Sequence, residues 1–93
     1  MHDKFSAVPV DLDTRVIKNE VIRLGDLDAL YQKWNWDGIN AESIIFLTAD
    51  IEKYTDEAIE AVVKKSDYYT LGSQLTLKRG DDGYTFVNFN FKY

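Results

Sequence analysis

The sequence predicts a small α+β domain, a mostly antiparallel sheet of three or four strands with two or three short helices on one face. Three observations predict it. Alternating runs at about 70–80 and 84–93 flank Gly80-Asp81-Asp82-Gly83, the pattern of a β-hairpin. Thr55-Asp56-Glu57 opens an apolar stripe at helical spacing that closes on Lys64-Lys65. Between them, Ser43-Ile44-Ile45-Phe46-Leu47-Thr48 has the length and character of a strand buried on both faces.

The hairpin register follows from the requirement that apolar side chains share a face. A two-residue loop at Asp81-Asp82 would set Leu75 against Asn88 and mix the faces. A three-residue loop, Asp81-Asp82-Gly83, pairs Leu77 with Val87, Leu75 with Phe89, Ser73 with Phe91 and Leu71 with Tyr93. Its last residue needs positive φ, which Gly83 adopts without steric cost. The outer face then carries Thr76, Lys78, Phe86, Asn88 and Asn90, a secondary interaction face. Asn88 and Asn90 lie on a strand, Val87–Tyr93, that carries no proline and little charge. Left uncovered, that edge invites pairing with a second chain.

The helix over about 56–65 takes Thr55 as N-cap, with Tyr54 and Ile59 placed for a hydrophobic staple. Ile59, Val62 and Val63 form its buried stripe, expected to pack on Leu75, Leu77, Val87, Phe89 and Phe91. Upstream, Val16, Ile17, Val21 and Leu24 follow helical spacing between Asp13 and Gly25, predicting a helix over about 14–24. The alternative is a local hairpin, Arg15–Ile17 against Val21–Arg23, turning at Lys18-Asn19-Glu20. Leu27, Leu30, Tyr31 and Trp34 predict a second helix over about 26–35, stopped by Asp37-Gly38. Residues 1–10 read as an edge strand limited by Pro9 or as a frayed terminus.

The 93 residues suit one domain with one core, and 45% hydrophobic and 14% aromatic content places them with folded globules. The absence of cysteine excludes disulfides, thiolate zinc sites and cysteine nucleophiles. Neither a secretory leader nor an apolar run of membrane-spanning length is present, so a cytoplasmic protein without membrane partners is expected.

Charge is the informative quantity. The net value is −5, but residues 11–60 hold twelve acids against five bases, a balance of −7. Residues 64–93 hold five bases against three acids, a balance of +2. Direct nucleic-acid binding needs a basic surface and is not expected. A basic protein is the better partner for Asp26, Asp28, Asp37, Glu42, Asp50, Glu52, Asp56, Glu57 and Glu60, with Trp36 as a candidate anchor. Such a domain suits a non-enzymatic interaction protein, including an inhibitor that mimics nucleic acid. The alternative is an assembly subunit that self-associates through sheet edges, as a homodimer in place of a monomer.

Catalytic chemistry finds little support. His2 is the single histidine, so no Ser-His or Cys-His pair can form within the chain. Asp56 and Glu57 already serve a helix N-terminus, and a small carboxylate-dependent enzyme ranks below both binding readings. No cofactor or metal is expected. Asp11-Leu12-Asp13 and Asp26-Leu27-Asp28 lack the glycine and glutamate that complete a calcium loop. Arg79-Gly80-Asp81 spells an adhesion tripeptide, but the turn accounts for Gly80 and Asp81. Trp34, Trp36 and Tyr31 together suggest an aromatic platform, yet Trp34 belongs to the apolar stripe and is better assigned to the core.

Overall fold

The computed structural model describes Phe5 and residues 14–92. Among the described residues five strands form one antiparallel sheet: β1 (Thr14–Leu24), β2 (Leu27–Trp36), β3 (Ile39–Leu47), β4 (Thr76–Arg79) and β5 (Tyr84–Lys92). Their spatial order is β1-β2-β3-β5-β4. Among the described residues one α-helix, α1 (Asp56–Lys64), and a 3-10 turn at Thr48–Ile51 complete the fold. The α+β class stands, and the sheet is larger and the helical part smaller than the sequence predicts. The reading of residues 1–10 lies, apart from Phe5, outside the described residues.

The segments expected as helices at 14–24 and 26–35 are strands. β1 also runs straight through Lys18-Asn19-Glu20, setting them opposite Lys33, Gln32 and Tyr31, so the local hairpin is absent too. Val16, Ile17, Val21 and Ile22 are β-branched and favour this extended backbone. In β2 the helical spacing of Leu27, Leu30, Tyr31 and Trp34 is a by-product of burial on both faces. Leu27, Ala29 and Tyr31 face one core cluster while Leu30 faces another.

The residues taken for helix stops are hairpin turns. Leu24 pairs with Leu27 across Gly25-Asp26, with Gly25 at φ 60 in the first central position, where a type II′ turn needs glycine. Trp36 pairs with Ile39 across Asp37-Gly38, where φ is 50 and 82, the double positive of a type I′ turn.

The C-terminal hairpin is shorter than expected. Its ladder contains Thr76–Asn88, Leu77–Val87, Lys78–Phe86 and Arg79–Thr85, and Gly83 closes the loop at φ 95. Upstream of Thr76 the chain leaves the sheet, so Leu75–Phe89 and Ser73–Phe91 are not ladder pairs, and Leu71 is 94% exposed. Tyr93 lies outside the described residues. The cause is visible in β5. Its pairing with β3 shifts between Asn40 and Glu42, and Asn90 sits in the left-handed region at φ 56. The Asn90 backbone N–H donates to Ser73 Oγ (2.6 Å) instead of to a neighbouring strand. The bulge also turns Phe91 away from α1 and against Trp34, with ring centroids 6.4 Å apart.

One face of the sheet is covered in two bands. Toward the Gly25 and Gly83 turns, Ile51, Ile59 and Val63 pack on Ile44, Phe46 and Val87, all fully buried. α1 begins beside Arg79 and ends beside Leu24 and Gly25, so it crosses the strands. Toward the Asp37 turn, the coil 66–75 returns across the sheet, with Tyr68 on Tyr31 (4.5 Å between centroids) and Tyr69 near Phe89 (6.0 Å). On the other face, Phe5 packs with Leu30, Ile45 and Tyr84. β5 lies between β3 and β4, so the strand expected to offer an open edge is interior over its paired length, and the outermost strands among the described residues are β1 and β4.

Candidate functional site

Antiparallel connection gathers many of the acidic candidates at one end of the sheet. The β1–β2 turn, the segment after β3 and the β4–β5 turn all lie there, joined by the Thr48 N–H donating to the Gly83 carbonyl (2.9 Å). They bring Asp26 and Asp28, Asp50 and Glu52, and Asp81 and Asp82 onto one rim. Five strands about 4.8 Å apart make that rim about 19 Å long. Glu57 and Glu60 extend it along α1, where Glu57 is exposed and Glu60 half-buried.

Two cations on the rim are already engaged. Arg23 pairs with Asp28 at 3.7 Å, and Arg79 Nε donates to Asp56 at 2.9 Å. Arg79 also donates to the carbonyls of Tyr54 (2.7 Å) and Ile51 (3.3 Å), tying β4 to the start of α1. That commitment removes Arg79 from any adhesive use of Arg79-Gly80-Asp81. Asp82 accepts from the Tyr84 N–H (3.1 Å), the backbone role expected of a turn aspartate.

Asp37 and Trp36 stand apart from this rim. They end β2 on the opposite side, about 30 Å away along a ten-residue strand. Trp36 is 41% exposed. Tyr31 faces α1 and the coil, whereas Trp34 lies against Phe91 and donates from Nε1 to Ser43 Oγ (2.7 Å), so the three aromatics do not share a platform. Ser43 in turn donates to Asn88 Oδ1 (2.5 Å).

Glu42 belongs to neither end. It is the centre of a polar network between the sheet and the coil. Tyr31 Oη donates to Glu42 Oε1 at 2.5 Å and Asn90 Nδ2 donates to Glu42 Oε2 at 2.9 Å. Asn90 also donates to the Tyr68 carbonyl (2.9 Å) and accepts from the Thr70 N–H (3.0 Å). Burial, and then the hydrogen bond and charge of Glu42, push the Tyr31 phenol well above the usual tyrosine range. Lys18 Nζ lies 5.9 Å from the Tyr31 ring centroid. A phenol held this firmly in its protonated form is a hydrogen-bond donor and a poor base near neutral pH. Each Glu42 oxygen accepts a hydrogen bond, and the depression beside it, about 290 Å³, is lined by Lys33, Asn40, Ala41, Glu42, Asn90 and Lys92.

The secondary face is rearranged. Thr76 and Lys78 are exposed and Phe86 and Asn88 half-buried on the side of the sheet away from α1. Asn90, expected beside them, is 6% exposed and committed to the network, because the bulge reverses its direction. Sequence reasoning missed the network. Its one legible signal is an asparagine inside a strand pattern, a residue enriched in the left-handed region.

Among the described residues no cluster of three or more His, Cys, Asp or Glu side chains is placed to hold a metal ion, and no helix is long and apolar enough to cross a membrane. Every buried side-chain nitrogen and oxygen among them has a hydrogen-bond partner. Comparison with protein-family models, curated proteins and solved structures gives no match.

Proposed function

We propose that this protein is a non-enzymatic interaction domain whose acidic rim docks on a basic protein and blocks the surface that protein would offer to nucleic acid. The observation that carries this reading is the convergence of three separate chain segments, with Asp26, Asp50, Glu52, Asp81 and Asp82, on one end of the sheet. Clustered carboxylates on a rigid frame accelerate encounter with a positive surface and favour correct orientation. The firmly protonated Tyr31, and Glu42 with each oxygen engaged in a hydrogen bond to the fold, argue for a scaffold in place of a reaction centre.

The test is binding to poly-lysine and to a lysine-rich protein, followed by calorimetry while salt rises from about 0.02 to about 0.5 M, across which the Debye length falls from roughly 20 Å to about 4 Å. Affinity should drop steadily. Reversing Asp26, Glu52 and Glu57 to lysine should abolish it without altering the circular-dichroism spectrum. Salt-independent binding, or full retention of affinity after triple reversal, overturns the reading.

A further inference from the structure

The two outer strands of the sheet differ in what they leave open. β4 has four residues, and its Arg79 is clamped to Asp56, Ile51 and Tyr54. β1 has eleven residues and, among the described residues, pairs only with β2. Its outer backbone groups therefore form a long row of unpaired donors and acceptors among the described residues. Ile17 and Val21, 55% and 51% exposed, flank the charged centre Lys18-Asn19-Glu20 of this strand.

From this edge we infer that the protein forms a two-fold dimer in which β1 pairs antiparallel with β1 of a second copy, extending the sheet to ten strands about Asn19. The charge pattern selects the register. Opposed residues on antiparallel strands share a face, so permitted registers differ by two residues. Centring on Lys18 opposes the two lysines, and centring on Glu20 opposes the two glutamates. Centring on Asn19 sets Lys18 against Glu20 twice, so the ion pairs are matched, and brings the exposed Ile17, which sits in the bulge between Val16 and Lys18, into the neighbourhood of the exposed Val21.

In the isolated chain Lys18 Nζ and Glu20 Oε2 lie 3.6 Å apart and both side chains are about half exposed, so exchanging this contact for its intermolecular equivalent requires little rearrangement. The like-charge meeting of Arg15 with Arg23 falls beyond the bulge at Val16–Lys18, and Arg23 is already paired with Asp28. The two-fold axis sends the two acidic rims to opposite ends of the extended sheet, so the dimer leaves both uncovered. The inference does not depend on the proposed function.

Sedimentation equilibrium from about 1 μM to about 1 mM reads the result directly. The native chain should pass from monomer to dimer in this range. Lys18→Glu and Glu20→Lys should each raise the midpoint about tenfold, since each places two like-charge pairs in the ladder. The double reversal Lys18→Glu/Glu20→Lys should restore the native midpoint. Urea unfolding of the same variants confirms that each remains folded, since the two side chains are solvent-exposed. As a second measurement, Asn19→Cys in this cysteine-free chain should form a disulfide-linked dimer on mild oxidation, while Lys78→Cys on β4 should not. A chain that stays monomeric at about 1 mM overturns the inference. So does a dimer indifferent to both single reversals, or a double reversal as weak as either one.

Discussion

The two bands that cover the sheet solve the same problem by different chemistry. α1 and the 3-10 turn hold their half through apolar contact, with Ile51, Ile59 and Val63 completely buried. The coil 66–75 holds its half through directed bonds, because Asn90 fixes Thr70 and Tyr68, Glu42 fixes Asn90 and Tyr31, and Ser73 receives the Asn90 N–H. A helix satisfies its own backbone and can afford greasy contact. A coil laid on a sheet has unpaired backbone groups, and each needs a partner from below. A loss of packing should therefore be felt in the helical half and a loss of hydrogen-bond geometry in the coil.

The largest effect is expected in the apolar half. Ile59→Ala removes a fully buried side chain from the interface with Phe46, Ile44 and Val87 and should cost about 4 kcal/mol, read from the urea midpoint at constant m. The polar half should respond next. Asn90→Ala leaves Thr70 N–H, the Tyr68 carbonyl and one Glu42 oxygen short of a partner and places alanine at φ 56, for about 3 kcal/mol. The two variants should also differ in kind. Amide exchange at Thr70 should accelerate in Asn90→Ala well beyond the change in α1, and Asn90→Gly, which accepts the backbone angle, should reproduce that local loosening at smaller global cost. Equal acceleration in α1 and the coil would dissolve the distinction between the halves.

Tyr31→Phe tests the same half through protons. It removes the donor to Glu42 Oε1 and should cost about 2 kcal/mol near neutral pH. The folded phenol holds its proton more tightly than the unfolded one, so its contribution is complete below the ordinary tyrosine pKa of 10.0 and is lost as pH rises through and beyond that value. The advantage of the native chain over Tyr31→Phe should be constant between about pH 6 and pH 9 and then shrink by about 1.4 kcal/mol per pH unit above pH 10. A difference that stays constant to about pH 11.5 would show that Tyr31 is not held in this way.

How much of this was legible in the sequence divides along the same line. α1 was readable because its signals are local: Thr55 does accept from the Ala58 N–H (3.1 Å), with Asp56 and Glu57 in the first turn and Lys64 in the last. Residues 27–36 were misread because a strand buried on both faces loses its alternation, and residues 14–24 because Ile17 and Val21 of the mostly exposed β1 are apolar without being buried. Leu27, Leu30, Tyr31 and Trp34 then imitate a helical face, and glycines at two hairpin turns imitate helix stops. Asp37-Gly38 between two apolar runs was the available corrective, a pair suited to two consecutive positive φ values. The acidic rim was readable as composition, but its splitting from Trp36 and Asp37 was not, since only strand direction decides which turns share an end. The Glu42 network depends on a bulge that brings residues 42, 68, 70 and 90 together, and local spacing carries no trace of it.

The smallest expected effect lies at one of the directed bonds that the apolar half does use. Thr55 caps α1 with a single hydrogen bond to the Ala58 N–H, and that end of the helix is exposed. Thr55→Ala should therefore cost about 1 kcal/mol, and Thr55→Asp, which keeps an acceptor and adds a negative charge at the positive helix end, should restore most of it. Both changes leave Ile59 and Val63 in place, so amide exchange should quicken over the first turn of α1 while the coil around Thr70 stays as it is. If Thr55→Ala instead weakened the protein as much as Ile59→Ala, α1 would be held chiefly by its start, and the contrast between a packed helix and a bonded coil would fail at the helix.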